Sequence, residues 1–557
     1  MRTIDAATLK AWIGDGRELA ILDAREDGEF GRAHLFWAVP CGLSRAEVRA
    51  RAVLGLPGSA MQAAFGLPAA RPGARICCVD GGEGGLAERL AAWLEGIGCT
   101  DVAVLAGGTP AWGAAGHVVF SGVNVPSKAF GEWVEHQYGT PSVSAEELSA
   151  MQAAGEDMVI LDSRPMDEFH RMSIPGGIDV PGGELVYRIG DLVASPATTI
   201  VVNCAGRTRS IMGAESLRSV GVPNRVVALR NGTMGWELAG FACDRGRTAS
   251  YEPGTPRSLA TAQARARDFA ARNGVHGIDA AGLRALLADT TRTTYLLDVR
   301  DPAEFAAGHI AGSRSAPGGQ LVQATDTWIA VRGARVVLVD GAAFDPATDG
   351  VRARLAGGWL RQLGGWDVFV LESAAGLRTA EGAGAPDCPE AAAIRAEMLD
   401  PAQLMARLAD GAAQVVQLTR SIEFREGHIP GALWGVRTRL AALLPRLAPD
   451  RPVVIAAADE AIGRLAVPEL KALAPNTPVR LLAGGFAAWK HAGLPLRAGR
   501  TDPPDEACID AYVRPYDRNS GVEAAMREYL SWEIDLVHEV ARDGDARFGE
   551  AVGIRAH

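Results

Sequence analysis

The sequence predicts a tandem array of α/β domains, each a central, mostly parallel sheet with helices on both faces, followed by a helical C-terminal tail. Three observations predict it. Four segments open alike, three of them close alike, and between opening and close short apolar runs alternate with helical stretches. The openings begin near residues 23, 162, 298 and 417, spaced by about 139, 136 and 119 residues. That spacing is the size of a domain and too long for a solenoid repeat of roughly 20–50 residues.

The first opening reads Ile21-Leu22-Asp23-Ala24-Arg25, then Glu29-Phe30 and His34. The second reads Ile160-Leu161-Asp162-Ser163-Arg164, then Glu168-Phe169 and Ile174-Pro175-Gly176. The third is Leu296-Leu297-Asp298-Val299-Arg300, then Glu304-Phe305 and Gly308-His309-Ile310. The fourth is worn, Val416-Gln417-Leu418-Thr419-Arg420, then Glu423-Phe424 and Gly427-His428-Ile429-Pro430-Gly431. Where the others have Gly-His or Ala-His, the second copy has Met172-Ser173. The closes pair a short strand with a Gly-rich turn and a Trp: Val102–Leu105 with Trp112, Val226–Leu229 with Trp236, Val479–Leu482 with Trp489. The third copy keeps the strand Asp367–Leu371 and lacks the Gly-Gly-x-x-x-Trp. These Trp residues are expected to pack core.

The expected domains are 1–120, 121–250, 260–378 and 390–500, with a tail over 501–557. Ser121 to Pro141 reads as a packed connector, because it holds Trp133 and Tyr138. Thr248 to Pro256 is turn-rich and leads into a helix over Leu259–Asn273, whereas Thr379 to Pro389 reads as a flexible linker. The tail segments Glu523–Leu530 and Trp532–Val537 have helical apolar spacing and read as a simple C-terminal capping helix, with docking on a domain or a second subunit as the alternative.

The chemistry concentrates at Cys204. An apolar, β-branched run ends at Val201-Val202-Asn203-Cys204, and the loop Ala205-Gly206-Arg207-Thr208-Arg209-Ser210 then turns helical. Loop N–H groups and a helix N-terminus favour negative charge there, so the thiol is expected to ionise below its free value of roughly 8.5. The same cradle would hold an incoming oxyanion. In the other copies the position after the equivalent strand is Asp80, Asp340 and Ala458, none of which is a thiol nucleophile. Loop length bears on the reaction. Cysteine phosphatases grip phosphate with an Arg six residues after the Cys. Here Arg209 comes at +5 and Ser210 at +6, a tighter ring suited to one sulfur atom. Phosphatase or arsenate reductase chemistry stays open as the lesser alternative. Asp162 could serve as its acid, but the same Asp recurs beside no nucleophile in copies one and three, which points to a structural role.

A net charge of −10 argues against nonspecific nucleic-acid binding and an anionic membrane surface. No apolar run reaches about 18 residues, so no membrane span is expected. The N-terminus carries no apolar signal region, and the 8 cysteines show no paired metal spacing, so a cytoplasmic protein without metal or organic cofactor is expected. Cys77-Cys78 reads as core, and Cys243 as a candidate resolving thiol.

The Asp-x-Arg and Glu-Phe-x-x-Gly-His-Ile-x-Gly openings, the strand–Cys-loop–helix centre and the Gly-Gly-x-x-x-Trp close resemble the rhodanese family of sulfurtransferases, over about residues 1 to 500. The resemblance implies four rhodanese-like domains with only the second active. It implies a sulfane sulfur taken from thiosulfate or a related small anionic donor onto Cys204 as a persulfide, then passed to cyanide or a thiol. Ala205, Gly206, Arg207, Thr208, Arg209 and Ser210 would then hold donor and persulfide. Arg207 and Arg209 would orient the donor, and Asp162 and Arg164 would support the loop. A persulfide carrier or sensor that hands sulfur to a protein partner is the alternative.

Overall fold

The computed structural model describes residues 1–68, 73–345, 350–384 and 387–554. Each copy contains a five-stranded sheet. Numbering strands within a copy, the order is 1-5-4-2-3 in all four, and neighbouring strands run parallel throughout these sheets. Strand 4 of each copy is buried along its whole length, as in Thr199–Asn203 and Val453–Ala457. That burial on both faces is why these strands read as continuous apolar runs. Registers align the copies: Asp23 faces Val79, Asp162 faces Asn203, Asp298 faces Val339 and Leu418 faces Ala457. The next residues, Asp80, Cys204, Asp340 and Ala458, are therefore structural equivalents.

The shared motifs each have a packing role. Asp23, Asp162 and Asp298 are fully buried and receive the arginine two residues later in paired hydrogen bonds, with Nη2 to Oδ2 distances of 2.5, 2.7 and 2.7 Å. The fourth copy has Leu418 there, and its Arg420 reaches out to Asp27 of copy one. The motif histidines 34, 309 and 428 stack on the preceding Phe30, Phe305 and Phe424 at centroid distances of 4.0, 3.9 and 3.8 Å. Trp112, Trp236 and Trp489 are buried, and each indole N–H donates to a carbonyl six residues on, at 2.9, 2.9 and 3.0 Å. They pack core, as expected.

Copies one, two and three share one continuous hydrophobic cluster with the tail residues Leu536, Val540 and Phe548. The connector is the helix Val125–Tyr138, packed between the helix Thr208–Ser219 and the tail helix Val522–Asp543. Tyr295 of copy three donates to the Val53 carbonyl of copy one at 2.6 Å, and Arg352 of copy three meets Glu184 of copy two at 2.8 Å. Copy four joins copy one through Arg437 and Glu47 at 2.5 Å.

Two readings change. The segment from Thr379 begins as a strand, Thr379–Ala380, antiparallel to His309–Ile310, and Asp387 accepts from the Ser59 hydroxyl at 2.7 Å. It is thus pinned at both described ends rather than freely flexible; positions 385 and 386 lie outside the described residues. The tail helix does more than cap a domain: it reaches the Cys204 loop. Among the described residues no helix is long and apolar enough to cross a membrane.

Candidate active site

Cys204 follows the C-terminal end of strand Thr199–Asn203, the edge where parallel sheets present ligands, and precedes the helix Thr208–Ser219. The closing Gly-rich motif explains how its loop is held. Thr233 N–H donates to the Cys204 carbonyl at 2.8 Å and Met234 N–H to the Ala205 carbonyl at 3.0 Å. Gly232 sits at φ +55°, and a Cβ there would lie 2.2 Å from the Cys204 carbonyl oxygen. Only glycine allows that approach. The motif is a clamp on the loop carbonyls, which leaves the loop amides free to face an anion.

Asp162 holds the loop from beneath. It accepts from Arg164 and from the Asn203 side-chain amide at 2.8 Å, while Arg164 also donates to the Met172 carbonyl at 2.5 Å. Arg207 donates to Glu132 at 2.7 Å through both Nε and Nη2, and also pairs with Glu135. Arg209 makes a two-pronged pair with Glu168, both contacts at 2.8 Å. Burial alone would raise the Glu168 carboxyl, but Arg209 brings it down to about 2. Both arginines border the site with their charge already answered by carboxylates. They brace the loop as well as lining the cavity, so their pairing with carboxylates stands beside the expectation that they orient the donor. Ser210 is buried behind the cysteine, its hydroxyl 3.5 Å from Sγ and donating to the Arg207 carbonyl at 2.8 Å.

The thiol is also different from expectation. Cys204 is 1% exposed. Burial pushes its pKa up, against the pull of the Arg209 guanidinium and the Ser210 hydroxyl and amide; the Glu533 carboxylate pushes it further up. The sequence displayed the loop's dipoles and not the elements that bury them.

Cys204, Ala205, Gly206, Arg207, Thr208 and Arg209 line a cavity of about 420 Å³. Its other walls come from far along the chain: Lys128 of the connector, Gln323 and Trp328 of copy three, Tyr529 and Glu533 of the tail. Glu533 is 1% exposed. One carboxylate oxygen accepts from the Thr208 hydroxyl at 2.5 Å; the other, Oε2, has no hydrogen-bond partner among the described residues and would lie 3.2 Å from a Cβ at Gly206. A carboxylate placed against the loop suppresses ionisation of Cys204. Glu533→Gln therefore lowers the thiol pKa, and the pH profile of iodoacetamide alkylation at Cys204 shifts toward acid. A profile that stays put or moves toward alkali contradicts this placement.

The equivalent positions in copies one and three are occupied by an internal anion. Asp80 accepts from the Gly82 and Ala87 amides at 2.8 and 3.0 Å, and Asp340 from the Gly341 and Ala353 amides at 2.7 and 3.1 Å and from Arg352 at 2.9 Å. Each carboxylate fills the cradle that Cys204 leaves open. In copy four Ala458 is followed by Asp459, which caps the next helix through the Ala461 amide at 2.7 Å.

All eight cysteines are free thiols. Cys77 and Cys78 are core. Cys243 is half-buried, packs beside the Trp236 cluster rather than lining the Cys204 cavity, and burial pushes its thiol up to about 12. These are the properties of a packed residue more than a resolving thiol. Among the described residues no group of three or more His, Cys, Asp or Glu is placed to hold a metal ion.

Residues 5–115, 144–239, 279–373 and 400–492 each match the family model of the rhodanese-like domain. A crystal structure of thiosulfate sulfurtransferase from Pseudomonas aeruginosa is 43% identical, with a TM-score of 0.87, over 98% of this chain and 99% of that one. An HTH-type transcriptional regulator of Mycobacterium tuberculosis is 32% identical over 116 residues, 20% of this chain. The match spans half of that regulator's length.

Proposed function

Because this chain belongs to the rhodanese family and is a sulfurtransferase of the rhodanese type, we propose that it moves a sulfane sulfur from thiosulfate, or a related anionic donor, to cyanide or a thiol through a persulfide on Cys204. The observation that carries this is the single cysteine of the four equivalent loops, which lines the cavity together with Ala205 to Arg209.

In the first half-reaction Cys204 Sγ attacks the outer sulfur of thiosulfate. The Sγ–S bond forms as the donor's S–S bond breaks, and sulfite departs with the bonding pair and the thiol proton. The persulfide anion left behind sits at the N-terminus of helix Thr208–Ser219, where peptide dipoles stabilise it. In the second, the carbon of hydrogen cyanide takes the terminal sulfur as thiocyanate, and its proton restores the Cys204 thiol. Ala205 to Ser210 supply the amides of the cradle. Asp162 with Arg164, and Arg207 and Arg209 with their glutamates, keep that cradle in shape.

The test is turnover by the full-length protein. Thiosulfate and cyanide are expected to yield thiocyanate, and p-nitrophenyl phosphate is expected to be left intact. A stable persulfide that cyanide cannot discharge would favour the carrier reading, in which a protein partner accepts the sulfur. Rapid hydrolysis of the phosphate ester would point to the phosphatase.

A further inference from the structure

Six cations line the Cys204 cavity. Four are spent on carboxylates: Arg164 on Asp162, Arg171 on Asp517, Arg207 on Glu132 and Glu135, Arg209 on Glu168. The other two are Lys128 and Arg514, neither of which pairs with a carboxylate or donates a side-chain hydrogen bond among the described residues. Lys128 is only 8% exposed, on a helix outside all four matched domains. Its ammonium lies 4.8 Å from the Tyr529 ring and 4.6 Å from the Trp532 ring. Aromatic faces steady a cation, but they accept none of its three N–H donors as an oxyanion would. Burying an ammonium with its donors unspent is costly, and an anion in the cavity offsets that cost. Arg514 lies exposed at the rim.

We propose that Lys128, with Arg514 at the rim, forms the oxyanion subsite that receives the sulfonate end of the sulfur donor while its outer sulfur meets Cys204. The assignment rests on the Cys204 reading above. It gives the connector and the tail a part in specificity: the tail aromatics fix Lys128, and the tail loop brings Arg514.

The groups facing Lys128 are Tyr529, Trp532 and Glu533 of the tail helix, Arg514, Asp326 of the short helix Thr325–Thr327, Arg209, and His34 of copy one. Burial lowers the Lys128 ammonium to about 8, with Glu533 and Asp326 opposing and Arg514 and Arg209 assisting. The charge is therefore present at neutral pH and lost as pH rises through about 8. Donor affinity falls over that interval.

The experiment is steady-state kinetics on the full chain. Lys128→Met keeps an apolar stem over the two rings and removes the charge. The expected result is a thiosulfate KM raised about tenfold or more, the loss of one charge-assisted contact, with the cyanide KM unchanged. Lys128→Arg restores most of the loss, and Arg514→Ala, at an exposed position, gives a smaller rise in the same constant. The rise in thiosulfate KM above pH 8 is present in wild type and absent in Lys128→Met. An unchanged thiosulfate KM in both Lys128→Met and Arg514→Ala overturns the subsite. If Lys128→Met does not fold, Lys128→Gln with Arg514→Ala decides: unchanged donor constants in both of those variants also overturn it. Persulfide loading separates the two claims. Wild type that never gains sulfur on Cys204 removes the parent reading; wild type and Lys128→Met that load equally at sub-saturating thiosulfate remove only the subsite.

Discussion

Cys204→Ser is expected to abolish thiosulfate:cyanide transfer and to leave the fold in place. The hydroxyl fits where the thiol was, beside Ser210 and under the Gly232 clamp, because it is slightly smaller and makes the same kind of contact. It cannot accept a sulfane sulfur, since the intermediate depends on a sulfur–sulfur bond that a thiol nucleophile forms and releases. No other copy supplies a substitute. Asp80 and Asp340 already fill their cradles, and Ala458 has no reactive group. Thiocyanate formation should fall to background while the melting temperature moves by no more than a few degrees, roughly the effect of a conservative buried change. Residual turnover above a few per cent of wild type would place the nucleophile elsewhere.

Arg207→Ala is expected to act on stability first. The guanidinium answers Glu132, which is 1% exposed on the connector helix and whose carboxyl burial raises to about 7 even with Arg207 beside it. Removing one member of a buried pair leaves an uncompensated charge and costs about 3–5 kcal/mol. The sign with pH follows. A carboxyl whose folded pKa lies above its unfolded one penalises folding as pH rises from the unfolded to the folded value, and without Arg207 that interval extends upward. The deficit relative to wild type is therefore largest above about pH 7 and shrinks toward acid. Glu132→Gln added to Arg207→Ala recovers much of the loss. Thermal melts at two pH values check this, and a variant that melts like wild type at pH 8 contradicts the bracing role.

The loop itself was legible. Cys204 ended an apolar run, the strand registers put Asp80, Asp340 and Ala458 at its place in the other copies, and the recurrence of Asp162 beside no nucleophile marked it as structural. The closing motif was legible as a turn and a core Trp. Its grip on the Cys204 carbonyl was not, because that contact joins residues 28 and more positions apart through a glycine conformation. Arg207 and Arg209 looked available because their partners, Glu132 and Glu168, lie 75 and 41 residues upstream. The direction of the thiol's pKa was misjudged for the same reason: helix dipoles can be read locally, whereas burial comes from Tyr529, Glu533 and the connector, brought together only by the fold. Lys128 carried no local signal at all. A lysine in an amphipathic helix is ordinarily a solvated residue, and only the tail's two aromatic rings turn it toward the cavity.

Intact-mass and peptide mass spectrometry of the purified full-length protein, before and after brief exposure to thiosulfate, tests the whole account at its centre. It predicts the mass of one added sulfur atom, mapped to the peptide holding Cys204, discharged by cyanide with formation of thiocyanate and absent from Cys204→Ser. A protein that turns over thiosulfate while Cys204 never gains that sulfur, or that carries it equally on another cysteine, would contradict it.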